Sequence, residues 1–229
     1  TCALPICSTL KKFKARAASG IVLDANNGQV ISMVSMPDFN PNYLSNTNVK
    51  GRFNLATQGV YEMGSTFKIF TTAMALDSGE VKIQDGYDAS EPIRVGRFVI
   101  RDYRPKNRWL SIPEILLHSS NIGSAKMALD IGRNRQRDFL EKLGLLEKPN
   151  LELDEEELGS PIIPNPWRDV NAMTIAYGHG IAVSPIQITS AVAAVINGGI
   201  YYEPTLLLTR SSRKGRRIIS KNTSDKIRS

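Results

Sequence analysis

Two β-rich runs open the ordered pattern of this chain: "ASGIVLDANNGQVISMVSM" over residues 18–36 places Val, Ile and Leu on either side of Asn26-Asn27-Gly28. Asn and Gly tolerate positive φ, so the pattern predicts a tight hairpin. The prolines of "PDFNPN" cannot continue a ladder and end it. Apolar residues then dominate 65–77, which predicts a helix that stops at Gly79. Over 81–104 short alternating runs are broken by Gly86 and Gly96, the pattern of loops and small strands.

The next segment, "SIPEILLHSSNIGSAKMALDIG", begins with Ser111 and Glu114 in capping-box spacing, and Pro113 is tolerated in a first turn. Its apolar pattern stops at His118-Ser119-Ser120-Asn121 and resumes at Ile122, which predicts a short helix, a polar turn and a second helix to about Asp130. A further amphipathic helix is expected over about 135–143, capped by Gly144. "ELDEEELG" reads as a solvated acidic surface and "SPIIPNPWR" as an extended loop. Ser184-Pro185 with Gln187 starts another helix, which ends at Asn197-Gly198-Gly199, and "IYYEPTLLL" reads as a strand. Strands, then a long run of helices, then a strand argue against alternating βαβ units and for an α+β fold with helices segregated from an antiparallel sheet.

Composition adds bounds. The 229 residues, 41% of them hydrophobic, suffice for one large domain or two small ones. No apolar stretch approaches the roughly 20 residues of a membrane span, and the start does not read as a signal peptide, so any anchor or export element is expected outside this chain. The net charge of +7 has one source. Residues 210–229 hold eight basic groups, from Arg210 to Arg228, against Asp225 alone, while the preceding 209 residues balance 21 basic and 21 acidic groups. A nucleic-acid-binding face would spread through the fold, so this segment is read as a basic tail and no nucleic-acid partner is expected. Cys2 and Cys7 both lie in "TCALPIC", which resembles a translated library adapter; residues 1–7 are expected to be non-native. Without them the chain has no cysteine, and with only His118 and His179 a Cys/His zinc site is excluded.

The candidate chemistry lies in "EMGSTFKIF". Ser65 and Lys68 are one helical turn apart and share a face. A serine hydroxyl needs a base within reach to act as a nucleophile, and a lysine amine serves as that base when burial depresses its pKa. Phe67, Ile69 and Phe70 around Lys68 make such a setting plausible. The plain alternative is a Ser N-cap beside a solvated lysine, and the same spacing recurs at Ser8–Lys11 and Ser211–Lys214. Ser119 and Asn121 form a second polar cluster between apolar segments, for which the plain reading is a turn serine and an N-cap by Asn121. Glu62 and His179 are weaker candidates, the first on a surface or near the site and the second a turn residue lining a cleft. Arg101, Asp102 and Arg104 read as loop charges.

Taken together and in this order, the two clusters match the Ser-x-x-Lys and Ser-x-Asn elements of penicillin-binding proteins and class A β-lactamases. "YEMGSTFK", "HSSNIG", "YGHGIAVSPIQITSAVAAVINGG" and the hairpin "GIVLDANNGQVISMVSMPDFNPN" resemble, collinearly over about residues 17–208, the transpeptidase domain of class B penicillin-binding proteins. "HSSN" resembles the septal, cell-division branch most. The resemblance implies the α+β serine β-lactamase/D,D-peptidase-like fold, with a helical subdomain over about 37–197 of a partial domain spanning 8–229. It implies that Ser65 attacks the penultimate D-alanine carbonyl of a peptidoglycan stem peptide ending in D-Ala-D-Ala. Lys68 would take its proton, Ser119 would relay one to the departing D-alanine, and Asn121 would hold the substrate backbone and position Lys68. The Ser65 amide would be one oxyanion donor. β-Lactam antibiotics would trap Ser65, and no metal or organic cofactor would be needed. Division-machinery membrane proteins are the implied partners and the periplasmic face of the inner membrane the implied location.

One departure from the family pattern is large. The third motif, Lys-Thr/Ser-Gly, does not occur; Lys142-Leu143-Gly144 ends a predicted helix and lacks the hydroxyl. Loss of one oxyanion donor typically costs about 10²–10³ in rate, so the chain is expected to be an inactive fragment as it stands. The alternative readings are a β-lactam sensor or other penicillin-binding-like protein without transpeptidation, and a serine β-lactamase, for which no Glu offers itself as deacylation base.

Overall fold

The structure is a computed structural model and describes residues 3–40, 42, 52–208 and 213–229. A helix, α1 (Ala3–Lys12), packs on the first strand of the expected hairpin. In that hairpin β1 (Ala18–Leu23) pairs antiparallel with β2 (Val30–Met36), with a bulge between Val22 and Leu23. The connection is wider than a tight turn and is built by side chains. Asp24 accepts from the Asn26 amide (2.8 Å) and Asn27 Nδ2 (3.0 Å), and Asn27 Oδ1 accepts from the Gln29 amide (2.8 Å). Gly28 alone in the loop takes positive φ (78°). A Cβ there would strike the Glu203 carbonyl, so glycine lets residues 203–205 run beside the loop. Thr205 closes that contact, donating its amide to the Gly28 carbonyl and accepting from the Val30 amide, both at 2.9 Å.

Helix α2 (Phe67–Ser78) is the axis of the core. Nine of its residues are buried, around its whole circumference, as expected of a helix enclosed by others. Phe67 and Phe70 meet edge to face at 5.5 Å, and each such side chain contributes about 1.5–3 kcal/mol by leaving water. Around α2 stand α3 (Ile112–Leu117), α4 (Asn121–Ile131), α5 (Arg133–Lys142) and α7 (Pro185–Ile196). The expected boundaries follow the chemistry named for them. Glu114 accepts from the Ser111 amide at 3.0 Å at the start of α3, Gln187 does the same for Ser184 at α7, and Gly144 takes φ 69° just past α5.

Between α2 and α3 lie two small antiparallel pairs, β3 (Gly86–Asp88) with β6 (Trp109–Ser111) and β4 (Ile93–Val95) with β5 (Phe98–Ile100). Among the described residues the sheets are all two-stranded and antiparallel, and isolated bridges link Gln29 to Thr205 in parallel and Tyr61 to Val183 and Ile162 to Ala182 antiparallel. Helices and small antiparallel sheets make this the expected α+β class.

Three parts differ from the sequence expectations. Helix α6 (Asp169–Ile175) follows the proline-rich segment directly and buries Ala172, Met173 and Ile175; seven residues are too few to declare a period. "IYYEPTLLL" is a strand only at β7 (Ile200–Tyr201), because Pro204 lacks the donor that a ladder needs. The described part of the basic segment, residues 213–229, is folded: β8 (Arg216–Arg217) pairs with β7, and α8 (Lys221–Arg228) docks on α2 and α7. Asp77 of α2 accepts from the Ser220 amide (2.8 Å) and Thr223 Oγ1 (2.9 Å), while Ile219, Thr223 and Ser224 are buried. Its charges face water while its small and apolar side chains pack, so charge density alone gave no sign of the helix.

Candidate active site

The Ser65–Lys68 pair stands where the chain enters the core. Ser65 lies in a single 3-10 turn, Gly64–Thr66, ahead of α2, and no side chain caps the helix. The N-cap reading of "GSTFK" is thereby excluded. The solvated-lysine reading fails as well: Lys68 is only 1% exposed. Its Nζ lies 3.0 Å from Ser65 Oγ, 2.8 Å from Ser119 Oγ, 2.7 Å from the Ser119 carbonyl and 2.7 Å from Asn121 Oδ1. Ser119 Oγ is 3.0 Å from Ser65 Oγ, which closes a triangle of two hydroxyls and an amine. Both serines are exposed while the lysine is not: the hydroxyls are open to a ligand and the amine is reached only through them.

The turn between α3 and α4 supplies the second half. Ser119 is one of three non-glycine residues among those described with positive φ (55°), a left-handed conformation that carries a steric cost for a residue with a Cβ. It aims both the carbonyl and the hydroxyl of Ser119 at Lys68. The N-cap of α4 is Ser120, whose Oγ accepts from the Gly123 amide at 3.0 Å; Asn121 is the first helical residue rather than the cap. This corrects the plain reading of Asn121 and frees its side chain. Asn121 Nδ2 donates to the Arg101 carbonyl (2.8 Å), which turns Oδ1 toward Lys68.

Asp102 also departs from its sequence reading as a loop charge. Its Oδ1 accepts from the amides of Asn121 (2.6 Å) and Ile122 (2.9 Å), and its Oδ2 from Ser120 Oγ (2.8 Å). Its partners lie 18–20 residues along the chain, so no local spacing announces it. Arg101 enters through its backbone, and Arg104 is exposed.

On the other side of Ser65, Gly178 lies so close to the Gly64 backbone that a Cβ would collide with the Gly64 carbonyl, and the Gly64 amide donates to the Gly178 carbonyl at 3.2 Å. Glu62 reinforces this seam by pairing with His179 Nδ1 (2.9 Å) and accepting from the Gly180 amide (2.8 Å). The pair is about half exposed. The bond to His179, and then that from Gly180, holds the Glu62 carboxyl below its ordinary range. Both residues thus brace the backbone beside Ser65.

Burial lowers the Lys68 pKa to about 8, with the nearby Asp102 carboxylate pulling the other way. The amine is then readily neutral near physiological pH. A neutral amine has two hydrogens and one lone pair. The Ser119 carbonyl and Asn121 Oδ1 can only accept, so they take the two hydrogens and leave the lone pair for the hydroxyls. Such an arrangement can draw the proton from Ser65 and pass one through Ser119.

Comparison with known proteins agrees with the geometry. The family described as "Penicillin binding protein transpeptidase domain" matches residues 18–229. The protein named "Probable peptidoglycan D,D-transpeptidase FtsI" from Caulobacter vibrioides is 35% identical over 93% of this chain and 36% of its own length. "Peptidoglycan D,D-transpeptidase FtsI" of Escherichia coli K12 is 31% identical over 82% of this chain and 32% of its own length. The chain therefore spans about a third of these relatives. The transpeptidase domain of Burkholderia pseudomallei penicillin-binding protein 3 superposes with a TM-score of 0.84 over 97% of this chain and 63% of that one, at 24% identity, which speaks for the fold. With both motifs folded into one site and the family matched from the first strand of the hairpin through α8 to residue 229, the chain belongs to the penicillin-binding protein transpeptidase domain family.

Proposed function

We propose that this chain is part of a peptidoglycan D,D-transpeptidase that forms peptide cross-links through a serine acyl-enzyme. The observation that carries the reading is the buried Lys68 amine within 3.0 Å of Ser65 Oγ, Ser119 Oγ and Asn121 Oδ1. Ser65 Oγ attacks the carbonyl of the penultimate D-alanine as Lys68 takes its proton. The C–N bond to the terminal D-alanine breaks, and Ser119 delivers a proton to the departing nitrogen and takes back the one held by Lys68. An amine of a second stem peptide then attacks the acyl carbonyl, the C–O bond to Ser65 breaks, and the amine's proton returns to Ser65 Oγ through Lys68. Asn121 holds Lys68 in place and binds the peptide backbone, and the Ser65 amide donates to the developing oxyanion.

β-Lactams are opened by the same attack, the lactam C–N bond taking the place of the peptide bond. The match to proteins named as peptidoglycan transpeptidases supports this substrate class. The "HSSN" turn favours the septal branch, with partners in the membrane division machinery and a location at the periplasmic face of the inner membrane. Among the described residues no helix is long and apolar enough to cross a membrane.

The test is intact mass of the full-length protein after incubation with benzylpenicillin, with Ser65→Ala in parallel. A stable adduct on the parent and none on the variant is the expected result. An adduct that survives the substitution, or none on the parent, would sink the assignment.

A further inference from the structure

We infer that Asp102 is a positioning residue that sets the proton-transfer geometry, by clamping the Ser119–Asn121 turn and by placing a fixed negative charge beside Lys68. The inference rests on the acyl-enzyme reading above.

Three observations carry it. The first is saturation: one carboxylate takes three hydrogen bonds, all from the turn and first residues of α4, namely Ser120 Oγ and the amides of Asn121 and Ile122. Amides at a helix start have no partner within the helix, and the positive end of the helix favours a carboxylate there. The second is what the clamp holds. It lies immediately after Ser119, whose left-handed backbone (φ 55°) would relax unless its surroundings over-determine it. The neighbouring Arg101 carbonyl takes Asn121 Nδ2, so the two-residue segment 101–102 orients the backbone and the side chain of Asn121 together. The third is charge. Ser65, Ser119 and Asn121 surround the Lys68 amine with neutral groups, and the Asp102 carboxylate is hydrogen-bonded at 2.6 Å to the amide of Asn121, whose Oδ1 lies 2.7 Å from Lys68 Nζ; its negative charge opposes the effect of burial on the amine.

Geometry and charge separate in two substitutions. Asp102→Asn keeps the size and the acceptor for the two amides but removes the charge. With less to stabilise the protonated amine, Lys68 deprotonates more readily, and the rising limb of the acylation rate moves to lower pH. Asp102→Glu keeps the charge but moves the carboxylate by a methylene. Misplacement of about an ångström costs up to roughly 10² in rate, so a loss of about ten- to a hundredfold is expected with the limb nearly unmoved.

The readout is the pH dependence of benzylpenicillin acylation in the full-length protein, with Ser65→Ala as control and melting temperature as the check on folding. An Asn variant that slows at every pH with the parental limb would reduce Asp102 to a structural anchor and overturn the charge half. A Glu variant at the parental rate would overturn the clamp. Should the Asn variant not fold, the Glu variant decides alone: its loss of rate supports the clamp and its parental rate overturns the inference. If the parent forms no Ser65 adduct at all, it is the acyl-enzyme reading that fails instead.

Discussion

The same four-residue spacing occurs twice among the described residues, and it means different things. In α1, Ser8 donates back to the Pro5 carbonyl at 2.9 Å, and both Ser8 and Lys11 are exposed. At the start of α2, Ser65 and Lys68 belong to a network of two hydroxyls, a carbonyl and an amide, and the lysine is buried. The third occurrence begins at Ser211, outside the described residues. Both pairs sit one turn apart as helix geometry requires. What separates them is the company of the amine: water in one case, and in the other the Ser119 turn, Asn121 and the field of Asp102. Spacing brings a hydroxyl and an amine together; desolvation turns the amine into a base.

The comparison breaks most sharply if the wrong pair proves reactive. Lys68→Ala is expected to slow benzylpenicillin acylation by about 10²–10⁴, the usual range for a lost general base. Ser8→Ala and Lys11→Ala should leave the rate at the parental value. A comparable fall from either α1 substitution would mean that the two regions do not differ as described.

Asn121→Ala is expected next in size. It removes a partner of Lys68 and the bond to the Arg101 carbonyl, so a loss of about ten- to a hundredfold in acylation is expected from misplacement. The melting temperature should move little by comparison.

The pH profile sharpens the comparison without a mutation. With Lys68 at about pKa 8, about a tenth of the amines are neutral at pH 7, against well under a thousandth for an ordinary lysine. The base must be neutral, so acylation should rise with pH and level off above about 8. A rate that keeps climbing tenfold per unit to pH 10 would give Lys68 the character of an ordinary solvated lysine.

The smallest effect is expected at the exposed Glu62–His179 contact. Glu62→Gln weakens the contact with His179 and should lower the melting temperature only slightly at neutral pH, since exposed pairs contribute little. The folded-state carboxyl lies below its unfolded value, so its contribution is full above the ordinary glutamate range and fades as pH falls through the lowered value. The parent–variant difference in melting temperature should therefore shrink toward acid. A difference that grows toward acid would remove the Glu62 carboxylate as its cause.

Much of the helical frame was legible in residues acting on near neighbours. Ser111 with Glu114, Ser184 with Gln187, and Gly144 cap their helices over three residues or fewer of chain, so pattern and boundary chemistry were both local. The hairpin was legible too, although the side chains of Asp24 and Asn27 build its loop where positive φ at the asparagines was expected. Helices α6 and α8 escaped because one is too short to show a period and the other is masked by its charges. Their faces became apparent only where α4 and α2 receive them.

The site divides along the same line. The sequence alone nominated Ser65, Lys68, Ser119 and Asn121 in that order, because a hydroxyl-amine pair and a polar turn between apolar segments are features of contiguous chain and both resemble the family's motifs. Only the tertiary structure decided that Lys68 is buried, that Ser119 takes the left-handed backbone turning its hydroxyl and carbonyl to the amine, and that Asp102 holds that turn. These depend on groups 18–54 residues apart meeting around an amine that is itself buried. Desolvation and long-range hydrogen bonding are properties of the packed chain, and no stretch of residues carries them by itself.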